Sequence, residues 1–459
     1  MTAVVRNEPA AASAPSRWLP QGLSFPTEFG PHVYLANGSR VYGVTEAFAH
    51  QYDDLVARRD GAGLDDLLVR HGLDAPAYID DRPVKPFAMH AISLAVAQKC
   101  NLGCTYCYAQ GGDFGGPAKN MPEATALKAV ERLIEGVAPG ERVNIAFLGG
   151  EPLVNRPVLR AATERAAALG AQKGVAVGFS ITSNGTLLTP DDGDFFERHG
   201  FAVTISLDGV GAVHDGQRPF KGGRGSYDRV LANVMPLIRM QRAMQISARV
   251  TVTPKNLRLP ETLDHFIGLG FHSVGFSPML NAPSGRGEMA AADLAEMLAQ
   301  MIACGRAFEA SVVAGRRYPF LNMVTALKEL HKGTHRPYPC GAGAGYLAVS
   351  ADGGLFACHR FVDDAAGAMG NLTDGPDPAV RTNWLANRHV HFQSPCSGCW
   401  ARYLCGGGCH HEVIQRGRPA CDYIRGWLEY SLGAYVRLLE ATPAFFGSVP
   451  GQPTQVPDA

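Results

Sequence analysis

Cysteine placement constrains this chain more than any other feature of its sequence. The 459 residues include 11 cysteines, an odd number, and they are grouped rather than scattered. Cys100, Cys104 and Cys107 fall within eight residues, while Cys340, Cys358, Cys396, Cys399, Cys405, Cys409 and Cys421 fall in the last third. Only Cys304 stands alone, in the helical stretch EMLAQMIACGRAFEA, where it reads as a buried small hydrophobe. The opening segment MTAVVRNEPAAASAPSRW has no apolar run of signal-peptide length between its basic and small residues. Residues 1–22 therefore read as a disordered tail on a cytoplasmic protein. Clustered thiols in that setting favour metal or redox chemistry over disulfides.

Charge removes two classes of partner. Lys+Arg number 42 and Asp+Glu number 42, so no basic field exists to attract nucleic acid or anionic lipid. No apolar stretch approaches the roughly 18 residues needed to cross a bilayer, so the expectation is a soluble protein with neither a nucleic-acid nor a membrane partner. The length suggests about three units.

Residues 23–86 form the first of these. Two short β-rich runs flank Asn37-Gly38, a dipeptide that favours a type I′ hairpin, Thr45 reads as a helix N-cap, and a second helix lies near Leu64 to Val69. DAPAYIDDRPVKP follows as a linker. Over residues 87–310 the runs AISLAVA, VNIAFLGG, VAVGFSITSNG, FAVTISLDG, QISARVTVT and SVGFSPML alternate with Ala/Leu-rich helical stretches. Such a pattern indicates an α/β unit with a parallel sheet covered by helices, an open or partial (β/α)6 barrel. In these folds the site lies at the C-terminal strand ends, and the first cysteine cluster follows the first strand.

A connecting helix is expected over residues 311–335, a Cys-rich region over 336–425, and a helix with a disordered tail over 426–459. The Cys-rich region has few apolar periods, so it is expected to hold little hydrophobic core and to need staples such as metal sites. Lys221 to Ser226 lacks the spacing of a phosphate loop and reads as a flexible loop opening a helix at Ser226.

Cys100-x3-Cys104-x2-Cys107 puts three thiolates on one tight loop. Three ligands leave one iron of a 4Fe-4S cluster without protein coordination, and an open metal position is where a cofactor or substrate binds. Zinc is the competing assignment, although a zinc site would more naturally use paired CxxC or Cys/His ligands.

CNLGCTYCY resembles the cluster motif of the radical S-adenosylmethionine (SAM) superfamily, in which the open iron holds the amino and carboxylate groups of SAM. Gly149-Gly150-Glu151-Pro152 is similar to that family's GGEP motif, and the resemblance implies that backbone and Glu151 contact the SAM amino group. A glycine pair permits close backbone approach to a ligand, though an ordinary strand-to-helix turn would look the same. The resemblance further implies contacts from Tyr106, from Ser183 and Asn184, from Ser206 and Asp208, and from Arg218 near the SAM carboxylate. Arginine suits that task because its planar fork matches a carboxylate.

The seven later cysteines, with Gly353 five residues before Cys358, are similar to the SPASM extension of radical SAM enzymes that modify peptides. That resemblance implies two auxiliary 4Fe-4S clusters, an outer one on Cys396, Cys399, Cys405 and Cys421 and an inner one on Cys340, Cys358 and Cys409. Seven ligands leave one auxiliary iron open or filled by a non-Cys group; a pair of structural zinc sites is the alternative. Cys358-His359-Arg360-Phe361-Val362, Gly370-Asn371 and the run from Cys399 to Cys409 resemble the thioether-forming SPASM maturases. Within them, CGGGCHHEV and ACDYIRGWLEY look most like the branch that matures quinohemoprotein amine dehydrogenase, joining Cys sulfur to Asp or Glu carbon in a small subunit. Sulfatase-maturing relatives carry Asp after the corresponding Cys as proton acceptor, where this chain has His359.

The resemblance thus implies a partial (β/α)6 radical SAM barrel, a winged-helix-like peptide-recognition module before it, for which a structural cap on the barrel is the equal alternative, and a SPASM domain after it. It implies three 4Fe-4S clusters, SAM, a Cys-bearing peptide or small protein substrate, and an external electron donor such as flavodoxin or ferredoxin. Other peptide maturation (carbon–carbon cross-linking, epimerisation, side-chain oxidation) and a non-enzymatic zinc or iron scaffold are the alternatives. No catalytic residue is singled out; His359, Asp208 and Asp215 are proton-acceptor candidates by their chemistry alone.

Overall fold

A computed structural model describes residues 22–83 and 85–447; the expected tails, residues 1–21 and 448–459, lie outside the described residues. Three antiparallel strands open the fold, β1 (Gly22–Thr27), β2 (Gly30–Leu35) and β3 (Arg40–Gly43), in that order across the sheet. Leu35 pairs with Arg40, so four residues join β2 to β3 instead of the two of a type I′ turn. Left-handed backbone falls on Gly38 (φ 87°) and Ser39 (φ 49°), not on Asn37. Asn37 is engaged elsewhere: its amide donates to the carbonyls of Ala75 and Pro76 at 2.6 and 2.8 Å, holding the linker to the hairpin. Thr45 caps α1 (Glu46–Arg58) by accepting the Phe48 N–H at 3.2 Å, and α2 (Gly61–Arg70) follows. One face of the small sheet packs Val33 and Leu35 on Phe48, Tyr52, Leu64 and Leu67. The other sends Tyr34 into the main core, edge-on to Trp400 at 6.0 Å.

The six apolar runs form six parallel strands in chain order: β4 (Ala91–Gln98), β5 (Arg142–Gly149), β6 (Ala176–Ser183), β7 (Ala202–Ser206), β8 (Gln245–Val252) and β9 (Ser273–Pro278). β9 does not pair with β4, so the barrel is open. Helices α3 (Glu123–Glu135), α4 (Arg156–Lys173), α5 (Pro190–Arg198), α6 (Tyr227–Met240) and α7 (Leu259–Gly268) alternate with the strands. Strand alternation divides the faces: in β8 Ile246, Ala248, Val250 and Val252 are buried on one side, leaving Ser247, Arg249 and Thr251 on the inner face.

Two expectations need correction. The connecting helix is two helices, α8 (Ala291–Val313), which crosses the expected barrel boundary, and α9 (Leu321–His331). Gly315 in left-handed backbone (φ 69°) and Pro319 separate them. The Cys-rich region is also not poor in core. Its strand β10 (Tyr346–Val349) pairs in parallel with β4, so the barrel sheet continues into it, and β11 (Gly354–Phe356) and β12 (Ala368–Asn371) extend it antiparallel. Leu347, Ala348 and Val349 are 0% exposed, and Phe361, Trp384 and Leu385 join the same core. Its apolar runs are simply too short to show a period.

The last helix, α10 (Cys421–Ala441), begins at a cysteine and packs Trp427 against Phe320. All 11 cysteines are free thiols, and Cys304 is fully buried on α8 as expected. Among the described residues no helix is long and apolar enough to cross a membrane.

Candidate metal and cofactor site

Cys100, Cys104 and Cys107 lie on the loop after β4. The loop is pinned by the Gly103 N–H to the Pro219 carbonyl at 2.8 Å and the Thr105 N–H to the Gln217 carbonyl at 3.1 Å. Gly149 and Gly150 pack beneath it at the end of β5. A Cβ on Gly149 would stand 2.2 Å from the Ala97 carbonyl oxygen, and one on Gly150 would stand 2.4 Å from the Lys99 carbonyl oxygen. The glycine pair is therefore demanded by the chain's own backbone under the cysteine loop, a closer constraint than approach to a ligand.

Glu151 is fully buried and ties strand ends together. One oxygen accepts from the Ser183 hydroxyl (2.9 Å) and the Leu153 N–H (3.1 Å), the other from the Asn184 N–H (2.7 Å). The second oxygen keeps capacity for a further donor. Burial raises the Glu151 pKa against the pull of these hydrogen bonds. The Asn184 amide then reaches Asn101 Oδ1 at 2.9 Å and Cys100 Sγ at 3.7 Å.

On the other side, Asp208 accepts the Tyr106 hydroxyl and, at 2.9 Å, the Thr251 N–H. Arg218 donates to the Tyr106 hydroxyl at 2.6 Å and stands 3.4 Å from Asp208. Its Nε is buried without a hydrogen-bond partner, an open donor suited to a ligand carboxylate. Ser206 ends β7 on the inner face, in register with Arg249 of β8. Burial pushes the Cys104 thiol up to about 11, Arg218 opposing and Cys107 and Cys100 adding, so the three thiols and the guanidinium share one electrostatic neighbourhood.

Behind this layer sits a histidine that sequence reasoning missed. His214 Nδ1 accepts the Asp208 N–H at 3.2 Å, which leaves its proton on Nε2, 3.0 Å from the Ser226 hydroxyl; Ser226 in turn donates to the Arg218 carbonyl at 2.6 Å. Burial drives its pKa down to about 3, so the ring is neutral and braces Asp208 and Arg218 together. No local signal marks it, because its partners come from other loops.

The three proton-acceptor candidates separate. Asp208 is engaged as above, and Asp215 caps α6 by accepting the Ser226 and Tyr227 N–H groups at 2.7 and 2.8 Å. His359 is the one without a structural duty of that kind. Its Nδ1 is 3.2 Å from the Tyr346 hydroxyl, itself 2.8 Å from Ser93 on β4, and burial, then Arg360, pushes its pKa down to about 4.

The seven later cysteines lie in two overlapping sets that share Cys409. Cys358 and Cys340 are each within electrostatic reach of Cys409, while Cys396 senses Cys405, Cys421 and Cys399. The latter four line a small cavity that also reaches Cys409. Gly406, Gly407 and Gly408, all left-handed (φ 70°, 97° and 78°), turn the chain between Cys405 and Cys409 and so cross one group into the other. The N–H groups of Gly407 and Gly408 hydrogen-bond the Cys405 thiol. Among the described residues, no three His, Cys, Asp or Glu side chains converge as a single ion requires.

Residues 94–240 match the family model of the Radical SAM superfamily. The serine-type anaerobic sulfatase-maturating enzyme of Klebsiella aerogenes is 25% identical over 357 residues, 75% of this chain and 85% of that protein. Among solved structures, native anSMEcpe with bound AdoMet aligns with a TM-score of 0.64 at 18% identity, over 76% of this chain and 99% of that one. Its complex with AdoMet and the Cp18Cys peptide aligns with a TM-score of 0.60 at 18% identity, over 77% and 99%. The fold is the radical SAM α/β fold with a parallel-sheet core.

Proposed function

We propose that this radical SAM protein is a maturase that modifies a peptide or small protein subunit, forming thioether cross-links between Cys sulfur and a carbon of Asp, Glu or another residue. What supports the proposal is that Cys100, Cys104 and Cys107 share one loop while the seven later cysteines lie near one another, with Cys409 close to both Cys340 and Cys358 and lining the cavity of the other four. The group of Cys340, Cys358 and Cys409 is one thiolate short of closing a four-iron cluster, which leaves a place for a substrate Cys. Similarity to a sulfatase-maturating enzyme and to a structure holding a Cys peptide supports the substrate class.

Cys100, Cys104 and Cys107 would hold a 4Fe-4S cluster that, with SAM, supplies the 5′-deoxyadenosyl radical. The chain's own part is positional. The free Nε of Arg218 and the Ser206 hydroxyl receive the SAM carboxylate; Glu151 and the glycine pair fix the strand end that meets its amino group; Tyr106 is held by Asp208. Beyond the N-terminal mouth and apart from Asn144, Leu148 and Arg249, the inner face carries Ala, Ser, Thr and Gly, which leaves room for a peptide beside these groups, and positioning there decides which hydrogen is lost. His359, neutral at the inner face, accepts the substrate proton. A substrate leader pairs with the outer strand β3 of the N-terminal sheet. An external flavodoxin or ferredoxin delivers the electron.

Anaerobic reconstitution followed by coexpression with a candidate Cys-bearing polypeptide tests this. Iron and sulfide should each approach about twelve per chain, three clusters of four. Reduced protein with SAM should form 5′-deoxyadenosine, and the polypeptide should lose two hydrogens per modified Cys and resist thiol alkylation. A two-hydrogen loss with alkylatable Cys would point to another SPASM-type maturation; no 5′-deoxyadenosine would leave only a metal-binding scaffold.

A further inference from the structure

We infer that Arg249 is the residue that selects an acidic side chain in the substrate, binding its carboxylate on the inner face of the barrel; this rests on the peptide-maturase proposal. Across the six barrel strands the only charged residues are Arg142, the first residue of β5 at the N-terminal mouth, and Arg249, in the second half of β8. Its neighbours in register are Ser206 and Gly275, so the guanidinium rises from a floor of small side chains next to the strand ends that carry the SAM-facing residues.

Among the described residues the cation has no anionic partner. Its one hydrogen bond is to the Ser277 hydroxyl, and among the described residues it makes no ion pair. The nearby carboxylates are committed elsewhere, Glu412 to Arg360 at 2.6 Å and Glu329 to Arg336 at 3.5 Å. The surrounding walls desolvate Arg249 enough to lower its pKa, with only Glu412 opposing. Yet it remains more than a third exposed, to a cleft bounded by β8, β9, α9 and α10. A guanidinium that faces the cleft without a counter-charge can take an arriving carboxylate through two parallel N–H···O bonds. Lysine at this position would keep the charge but lose the fork.

The test uses the reconstituted holoenzyme and two pools of short synthetic peptides, C-terminally amidated, each with a central Cys. One pool carries Asp and Glu at randomised flanking positions, the other Asn and Gln at the same positions. Fluorescence anisotropy should show the wild type holding the acidic pool about tenfold more tightly; R249Q should bring the two pools within about twofold, and R249K should fall between. Equal binding of the pools by the wild type, or a preference that survives in R249Q, overturns the proposal. So does weaker SAM binding in R249Q, which would assign the guanidinium to the cofactor. Tight binding of Asn/Gln peptides once their C-termini are free acids would assign it to a main-chain carboxylate and overturn the side-chain selection. An acidic preference removed by R249Q, with no peptide losing hydrogen, supports the carboxylate site and refutes the maturase proposal.

Discussion

The guanidinium of Arg360, two residues beyond Cys358, lies 5.6 Å from the ring centre of Tyr108, the residue after Cys107. The same guanidinium pairs with Glu412 at 2.6 Å, with only 17% and 15% of the two side chains exposed. The first cysteine loop is thus locked to the later cysteines through one arginine. Arg360→Met should strand a buried carboxylate and cost about 3–5 kcal/mol, and adding Glu412→Gln should recover part of that loss. Urea unfolding of the two single variants and the double variant checks the coupling; strictly additive losses would show that the pair acts independently.

His214 makes stability fall on the acid side. Its folded pKa, about 3, lies below the ordinary 6.5, so the unfolded chain takes up a proton first. The contribution is therefore fully present above pH 6.5 and is lost as pH falls from there toward 3. His214→Gln keeps an acceptor for the Asp208 N–H and a donor for Ser226 but cannot titrate. Between pH 6 and 5 its unfolding free energy should fall less steeply than that of the wild type, by about 1.4 kcal/mol per pH unit for the one proton removed. Identical slopes would mean that the ring is charged in the fold.

Gly150→Ala should displace the first cysteine loop. The added methyl would meet the Lys99 carbonyl oxygen at 2.4 Å and the Gly112 Cα at 2.8 Å, and neither is a side chain that can swing away. The variant should lose one cluster's worth of iron on anaerobic reconstitution while the visible absorption of the other two persists. Full iron content with normal SAM cleavage would show that the loop relaxes around the methyl.

Substitutions of the later cysteines should sort by space, not by sequence. Cys409→Ala should give the spectrum of Cys340→Ala and Cys358→Ala, although Cys409 is closer in sequence to Cys405, whose loss should instead match that of Cys396 or Cys421. Electron paramagnetic resonance of the reduced proteins reads the two classes; a shared spectrum for Cys405→Ala and Cys409→Ala would overturn the grouping.

The barrel was legible because its strands are continuous apolar runs between helical stretches, a pattern set by burial of the strands under helices. The cysteines were legible as groups because thiols spaced by two or three residues have few other uses. What stayed hidden depends on partners distant in sequence. Nothing near His214 announces a brace between residues 208 and 226. Asn37 looks like a turn residue until the Ala75 and Pro76 carbonyls claim its amide. The meaning of Gly149 and Gly150 changed once the loop above them could be seen. Arg249 sits in a run that reads as an ordinary strand, and only the inner face shows that the charge has no partner.

The parallel pairing of β10 with β4 has a consequence for biosynthesis. Ala91 finds its sheet neighbour Tyr346 only after the whole barrel has been made. At ordinary ribosomal speed that interval is on the order of tens of seconds, during which residues 91–94 at one edge of β4 stand bare. The last of the grouped cysteines, Cys421, leaves the ribosome later still. A nascent chain that has not yet made Tyr346 exposes a strand edge that a chaperone, or another nascent copy, can occupy.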